Sequence, residues 1–220
     1  MSFEPVRSEV WRHARAMWEV GLVVGSAGNV SCRVPQRSDF IAITPTAVPY
    51  ERLTAGEIVI VDLSTGRSVE SSHAASYELP MHLEIYRALP EVRAIVHTHA
   101  PFVTTLSVLR RPLPPIIDEM MLYFGGTIEV SDYAFTGTPQ IGRNAVGALG
   151  DRTGVILANH GNVCVGRTLE QALHVATVME SCARVYVQAL QIGEPLLLPD
   201  EAVTAGRRMF DERSRLKSED

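Results

Sequence analysis

The nine residues AIVHTHAPF at 94–102 limit what this chain can fold into more than any other stretch. Ala94, Ile95 and Val96 begin a short apolar run of the kind found in a buried strand, and a strand turns successive side chains to opposite faces. His97 and His99 therefore share one face, two imidazoles at the end of a core strand. Burying them there carries a desolvation cost, which is offset if both nitrogens reach one metal ion. Such a strand needs a sheet around it and a polar pocket at its end.

Composition permits a core of that kind. With 46% hydrophobic side chains in 220 residues, the chain suits one domain, expected over residues 1–220 with 200–220 as a mobile carboxyl-terminal tail. A net charge of −5, from 20 Lys+Arg against 25 Asp+Glu, leaves no footprint for nucleic acid or a membrane surface, so a small-molecule partner is expected. No apolar run approaches the ~18 residues of a membrane span. The amino end, MSFEPVRSEVWRH, carries charges where a signal peptide is apolar, and a cytoplasmic protein is expected. Cys32, Cys164 and Cys182 lack CxxC spacing, which argues against a disulfide framework or a thiolate zinc site.

Helical periodicity over about residues 5–20 ends at Gly21, and GSAGNVSCRV turns into an alternating strand near 29–34 with FIAITP as its neighbour. EIVIVDL and RSVE, joined by STG, read as a hairpin. A helix follows, with Ser76 as its expected cap, Glu78 in its first turn, and Leu79, His82, Leu83 and Tyr86 at helical spacing up to Pro90. IIDEMMLYF at 116–124 fits helix or strand, and TIEV at 127–130 a short strand. IGRNAVGAL reads as a helix, GVILANHGNVCVG as a hairpin with NHG at its tip, and 168–191 as a long amphipathic helix. Hairpin-joined strands among helices predict a mostly antiparallel sheet covered by helices.

A catalytic zinc site takes three protein ligands, so the histidine pair needs a third. His160 sits where a strand meets a glycine turn and can be aimed back at the pair; Glu78, opening the helix before the histidine strand, offers a carboxylate. His13 and His174 fall in amphipathic helices, His73 in a polar loop, and His82 one turn beyond Glu78.

In AGNVSCR, ITPTAVPYERL, ELPMHLEIYRALPEVRAIVHTHAP, FTGT and LANHGNVCVG, in this order over about residues 10–190, the chain resembles the class II aldolase/adducin family. That family holds zinc-dependent fuculose-1-phosphate-type aldolases, ribulose-5-phosphate 4-epimerases, a methylthioribulose-1-phosphate dehydratase and the non-enzymatic adducin heads. The resemblance implies an α/β fold, three layers α/β/α around a mainly antiparallel central sheet. It makes His97, His99 and His160 the ligands of one zinc ion, with Glu78 at the metal as acid/base residue. It also implies a homotetramer whose active site lies at a subunit contact. The apolar stretch Ile116–Phe124 is then expected to face a neighbour.

The activity implied is retro-aldol cleavage of a ketose 1-phosphate to dihydroxyacetone phosphate and an aldehyde, with an epimerase, a dehydratase or an adducin-type module as alternatives. The family's phosphate site corresponds to Asn29, the Thr46–Ala47 pair and Ser76–Tyr77. Two positions depart from the family, Ala47 standing where glycine is usual and Tyr77 where serine is. The family's proton-donating tyrosine is also missing, and Asp118 or Glu119 lies nearest to its place.

Overall fold

Period-two alternation in the extended segments divides their side chains between two cores. Val30, Cys32, Ala42, Ile60, Val96 and Cys164 face one; Ile41, Ile43, Val59, Ile95, Val155 and Val163 face the other. A sheet apolar on both faces requires helices on both. The computed structural model, which describes residues 2–216, has this three-layer arrangement.

The strands are β1 (Asn29–Val34), β2 (Arg37–Ile43), β3 (Val59–Asp62), β4 (Ser68–Glu70), β5 (Ala94–Thr98), β6 (Val130–Ser131), β7 (Gly154–Leu157) and β8 (Gly161–Gly166). They form one sheet in the order β4-β3-β2-β1-β5-β8-β7-β6. The sheet is mixed, which corrects the expectation of a mainly antiparallel one: β6 joins β7 in parallel at the edge, while β5 is antiparallel to both of its neighbours, β1 and β8. Helices α1 (Glu4–Glu19), α3 (Pro101–Leu109), α4 (Asp118–Phe124) and α6 (Leu169–Ile192) bring buried side chains to the first core. Helices α2 (Leu79–Ala88) and α5 (Pro139–Leu149) line the second.

Several local expectations change. The open segment 116–124 is helical from Asp118, and its Met120, Met121 and Phe124 are buried within the chain itself, so they are not a surface awaiting a neighbour. Ser76 does not cap α2; Glu78 is the N-cap residue, and its own amide donates to Ser76 Oγ at 3.2 Å. Helix α3 has no counterpart in the sequence reading because Val103, Thr104, Thr105 and Val108 are weak helix formers. Tertiary contacts hold it: Glu180 of α6 accepts hydrogen bonds from the free amides of Phe102 and Val103 at 2.9 and 3.0 Å.

Where a mobile tail was expected over 200–220, residues Asp200–Leu216 form helix α7, packed on α4. Phe210 is buried, and Arg207 pairs with Asp151 and, at 2.9 Å, with Asp211. Residues 217–220 lie outside the described residues. No helix among the described residues is long and apolar enough to cross a membrane.

Helices α2 and α5 cross closely at Gly142, where a Cβ would stand 2.7 Å from Glu84 Cβ and 2.8 Å from the Met81 carbonyl oxygen. This crossing fixes α2, whose first residue borders the candidate site. Alanine is the better helix former by about 1 kcal/mol, yet Gly142→Ala is expected to lower stability by about 1–3 kcal/mol through overpacking. Urea denaturation checks this, and an unchanged or raised midpoint would contradict the crossing.

Candidate metal centre

The site lies where β5 ends, and the register of the sheet explains its contents. His97 has the parity of Ile95 and so faces the α2 side of the sheet. Asn29 of β1 is its cross-strand partner, and Val163 of β8 pairs with it on the other side. The β7–β8 hairpin turns beyond Leu157 and carries His160 back to β5. Gly28 lets β1 enter beside β5: its φ is +73°, and a Cβ there would meet the His97 carbonyl oxygen at 2.5 Å.

Four side chains converge. The ligand atoms of Glu78, His97, His99 and His160 all lie within 4.8 Å of one another. His97 Nε2 is 3.0 Å from both His99 Nε2 and Glu78 Oε2, and His160 Nε2 is 3.1 Å from Glu78 Oε1. The three rings meet edge to face, with centroids 4.8–4.9 Å apart. Glu78 and His97 are buried, while His99 and His160 are half-buried and open the cluster towards solvent.

Protonation within the cluster follows from its neighbours. His97 Nδ1–H donates to the Asn162 carbonyl at 2.8 Å, which turns an Nε2 lone pair toward the other donors. That lone pair faces a carboxylate oxygen and another imidazole nitrogen, an arrangement that is favourable only if a proton or a cation lies among them. Burial alone would lower His97, but Glu78 and the Asn162 carbonyl outweigh it and raise the imidazole. Burial, followed by the charges of His97 and His160, takes His99 down to about 3, leaving a neutral ring with a lone pair to give. Burial alone would raise Glu78; His97 and His160 instead hold it well below the usual carboxylate range.

This donor set fits a transition metal. Tetrahedral zinc bonds of ~2.0–2.2 Å place neighbouring donors about 3.3 Å apart, close to the contacts found here. Three imidazoles and one carboxylate suit zinc better than magnesium, which prefers oxygen.

The remaining sequence-predicted residues fall into two groups. An antiparallel bridge between Pro45 and Ala75 joins the two segments, setting Thr46 opposite Ala74 and Thr44 opposite Ser76: the Thr46 amide donates to the Ala74 carbonyl and the Ser76 amide to the Thr44 carbonyl, both at 3.0 Å. Ala47 keeps a left-handed backbone, φ +58°, which explains why a glycine suits that place. Tyr77 is 61% exposed and lies against Gly137. Asn29 is buried, and its amide is already engaged: Nδ2 donates to Glu78 Oε2 at 2.8 Å and Oδ1 meets His82 Nε2. Asp118 and Glu119, in contrast, are exposed at the start of α4 and take no part in this chain's cluster.

Sequence reasoning missed Thr136, whose hydroxyl donates to Glu78 Oε1 at 2.8 Å from the loop before α5. It also set His82 aside, although the spacing from Glu78 to His82, one helical turn, was a signal.

Fold and site together define an α/β protein with three histidines and a carboxylate placed so that they could hold a metal ion. The chain belongs to the class II aldolase and adducin N-terminal domain family, whose model matches residues 8–187. It is 32% identical over 211 residues to a 5-deoxy-D-ribulose 1-phosphate aldolase of Bacillus thuringiensis serovar kurstaki, covering 96% of this chain and 98% of that one. It is 38% identical over 186 residues to a 5-methylthioribulose-1-phosphate/5-deoxyribulose-1-phosphate aldolase of Rhodospirillum rubrum, covering 84% and 82%. A solved L-fuculose 1-phosphate aldolase superposes with a TM-score of 0.89 at 32% identity, covering 96% of this chain and 98% of that one.

Elemental analysis of purified protein is expected to give about one divalent metal per chain. Replacing His97 and His99 together with alanine should abolish it, and full metal content in that double variant would contradict the assignment.

Proposed function

We propose that the chain is a zinc-dependent aldolase that cleaves a ketose 1-phosphate of the fuculose, ribulose or 5-deoxyribulose type to dihydroxyacetone phosphate and an aldehyde. One observation carries the reading: Glu78 touches two of three converging imidazoles with separate oxygens, in a fold shared with sugar-phosphate aldolases. In this reading His97, His99 and His160 hold the zinc, with Glu78 at its edge. When bound, the metal supplies Lewis-acid polarisation of the substrate's ketone and hydroxyl oxygens.

The chain's own residues supply positioning and proton transfer. In cleavage Glu78 delivers a proton to the carbon that bears the developing negative charge, and the carboxylate form that its surroundings favour removes that proton in the reverse condensation. Asn29 and Thr136 each donate to one of its oxygens, which aims the group and leaves it little freedom to rotate. The phosphate end of the substrate is assigned to Thr46, Ala47 and Ser76, at a rim that Ser76 joins to Glu78 by accepting from its amide. The exposed ring of Tyr77 narrows that rim and selects among ketose phosphates. Asn29 acts on Glu78 in the first place and reaches the phosphate only with the amide hydrogen that remains.

Asp118 or Glu119 is assigned, across a subunit contact, as the group that takes the proton from the hydroxyl that becomes the aldehyde carbonyl, and gives it back in the reverse condensation. Both are exposed at one end of α4, as a residue serving a neighbour's site must be. The assembly proposed is a homotetramer in the cytoplasm, each chain folding as one domain. Light scattering should give four chain masses, and a fully active monomer would contradict the shared site.

The direct test is a product assay of zinc-loaded protein against a panel of ketose 1-phosphates and free ketoses, with aldehyde release and dehydration read separately. Dihydroxyacetone phosphate and aldehyde in equal amounts are expected from at least one phosphate ester; dehydration alone, or no turnover, overturns the reading. Glu78→Gln keeps the shape but cannot take a proton, so it should retain metal and lose roughly 100-fold or more of kcat. Near-normal turnover in that variant would give the proton transfer to another group.

A further inference from the structure

A line of buried polar groups runs from Glu78 into the core between β1 and α2, and beyond Glu78 none of it belongs to the metal centre. Residues 29 and 31 are two apart on β1 and share a face; residues 78, 82 and 86 are four apart and share a stripe along α2. Their side chains interleave. Tyr86 Oη lies 2.9 Å from Ser31 Oγ, Ser31 Oγ lies 2.7 Å from His82 Nδ1, His82 Nε2 meets Asn29 Oδ1, and Asn29 Nδ2 donates to Glu78 Oε2 at 2.8 Å. Ser31 and His82 are fully buried, and Asn29 and Tyr86 are 1% exposed.

With a neutral His82 ring, only one assignment of protons satisfies every contact. The Glu78 carboxylate can only accept, so Asn29 must present its NH2 to it and its oxygen to His82. His82 must then carry its proton on Nε2 and accept at Nδ1, where the Ser31 hydroxyl donates while accepting from Tyr86. Burial drives the His82 imidazole down to about 3, which agrees with a neutral ring. All donors thus point along the line toward Glu78. If the Asn29 amide turned over, its oxygen would face the carboxylate and its NH2 would face the donor hydrogen of His82, two repulsive contacts in place of two hydrogen bonds.

We infer that His82 is a positioning residue for the reaction, acting through Asn29 to hold the Glu78 carboxylate in its working orientation. Apolar side chains at 31 and 82 would fill the same space without needing partners, so the polar seam serves orientation more than stability. The inference rests on Glu78 being the acid/base of the proposed aldolase. Supporting groups of this kind typically change activity 10–100-fold when removed.

The test compares His82→Phe and His82→Gln in zinc-loaded protein, with metal content and the ketose 1-phosphate panel as readouts. His82→Phe should keep its metal, lower kcat roughly tenfold or more and leave KM little changed. His82→Gln, which keeps an N–H donor, should recover part of that loss. A double variant with Asn29→Ala should be no slower than Asn29→Ala alone, because both act through one contact. Unchanged kcat in His82→Phe, an effect on KM alone, no recovery with Gln, or multiplicative loss in the double variant would each overturn the proposal.

Ring nitrogen NMR of the histidine-labelled, zinc-loaded wild type decides the same point without turnover or a folded variant. His82 should be neutral with its proton on Nε2 near neutral pH; a proton on Nδ1, or a charged ring, overturns the proposal. A wild type inactive on the whole panel overturns the aldolase reading instead, and leaves the NMR result to judge the geometry.

Discussion

Three imidazoles and a carboxylate brought within 4.8 Å of one another at the end of a core strand set the conditions the rest of the fold must meet. Neutral imidazole lone pairs and an anionic oxygen repel at these distances in a low-dielectric setting, so the cluster needs a cation or protons among its members. Metal coordination would meet that need. Everything near the site serves to hold the donors together: β5 is paired on both edges, Gly28 allows β1 to close on its end, and the Asn162 carbonyl fixes the tautomer of His97.

The helix that carries Glu78 is held from below as well as from the site. Its crossing with α5 is set by the absence of a side chain at Gly142, and its polar stripe Glu78, His82 and Tyr86 is bridged by Asn29 and Ser31 of β1. The carboxylate is therefore fixed by Thr136 on one oxygen and Asn29 on the other before any substrate arrives. Preorganisation of this sort lowers the cost of ordering the reacting groups during catalysis.

The HxH pair was legible because period two is a local property of a strand, and His160 because a glycine turn after a strand is also local. Alternation of apolar residues likewise exposed most of the sheet. What stayed hidden depends on contacts distant in sequence. The role of His82 follows from β1 lying against α2, and that of Thr136 from a loop 58 residues beyond Glu78. Helix α3 is stabilised by Glu180 from α6, against its own propensities. Helix α7 was mistaken for a tail because its few apolar contacts, Phe210 among them, are spread through a strongly polar segment. Asn29 was recognised, yet its partner was not, since only the register between β1 and β5 places it opposite His97.

Diffraction from zinc-soaked crystals, recorded on both sides of the zinc absorption edge, decides whether Glu78 and the three histidines form a metal centre. One anomalous peak per chain is expected, ~2.0–2.2 Å from a nitrogen of each of His97, His99 and His160, with the Glu78 carboxylate beside it. A peak held by other residues, or a zinc-saturated crystal in which the three imidazoles enclose no metal, would contradict it.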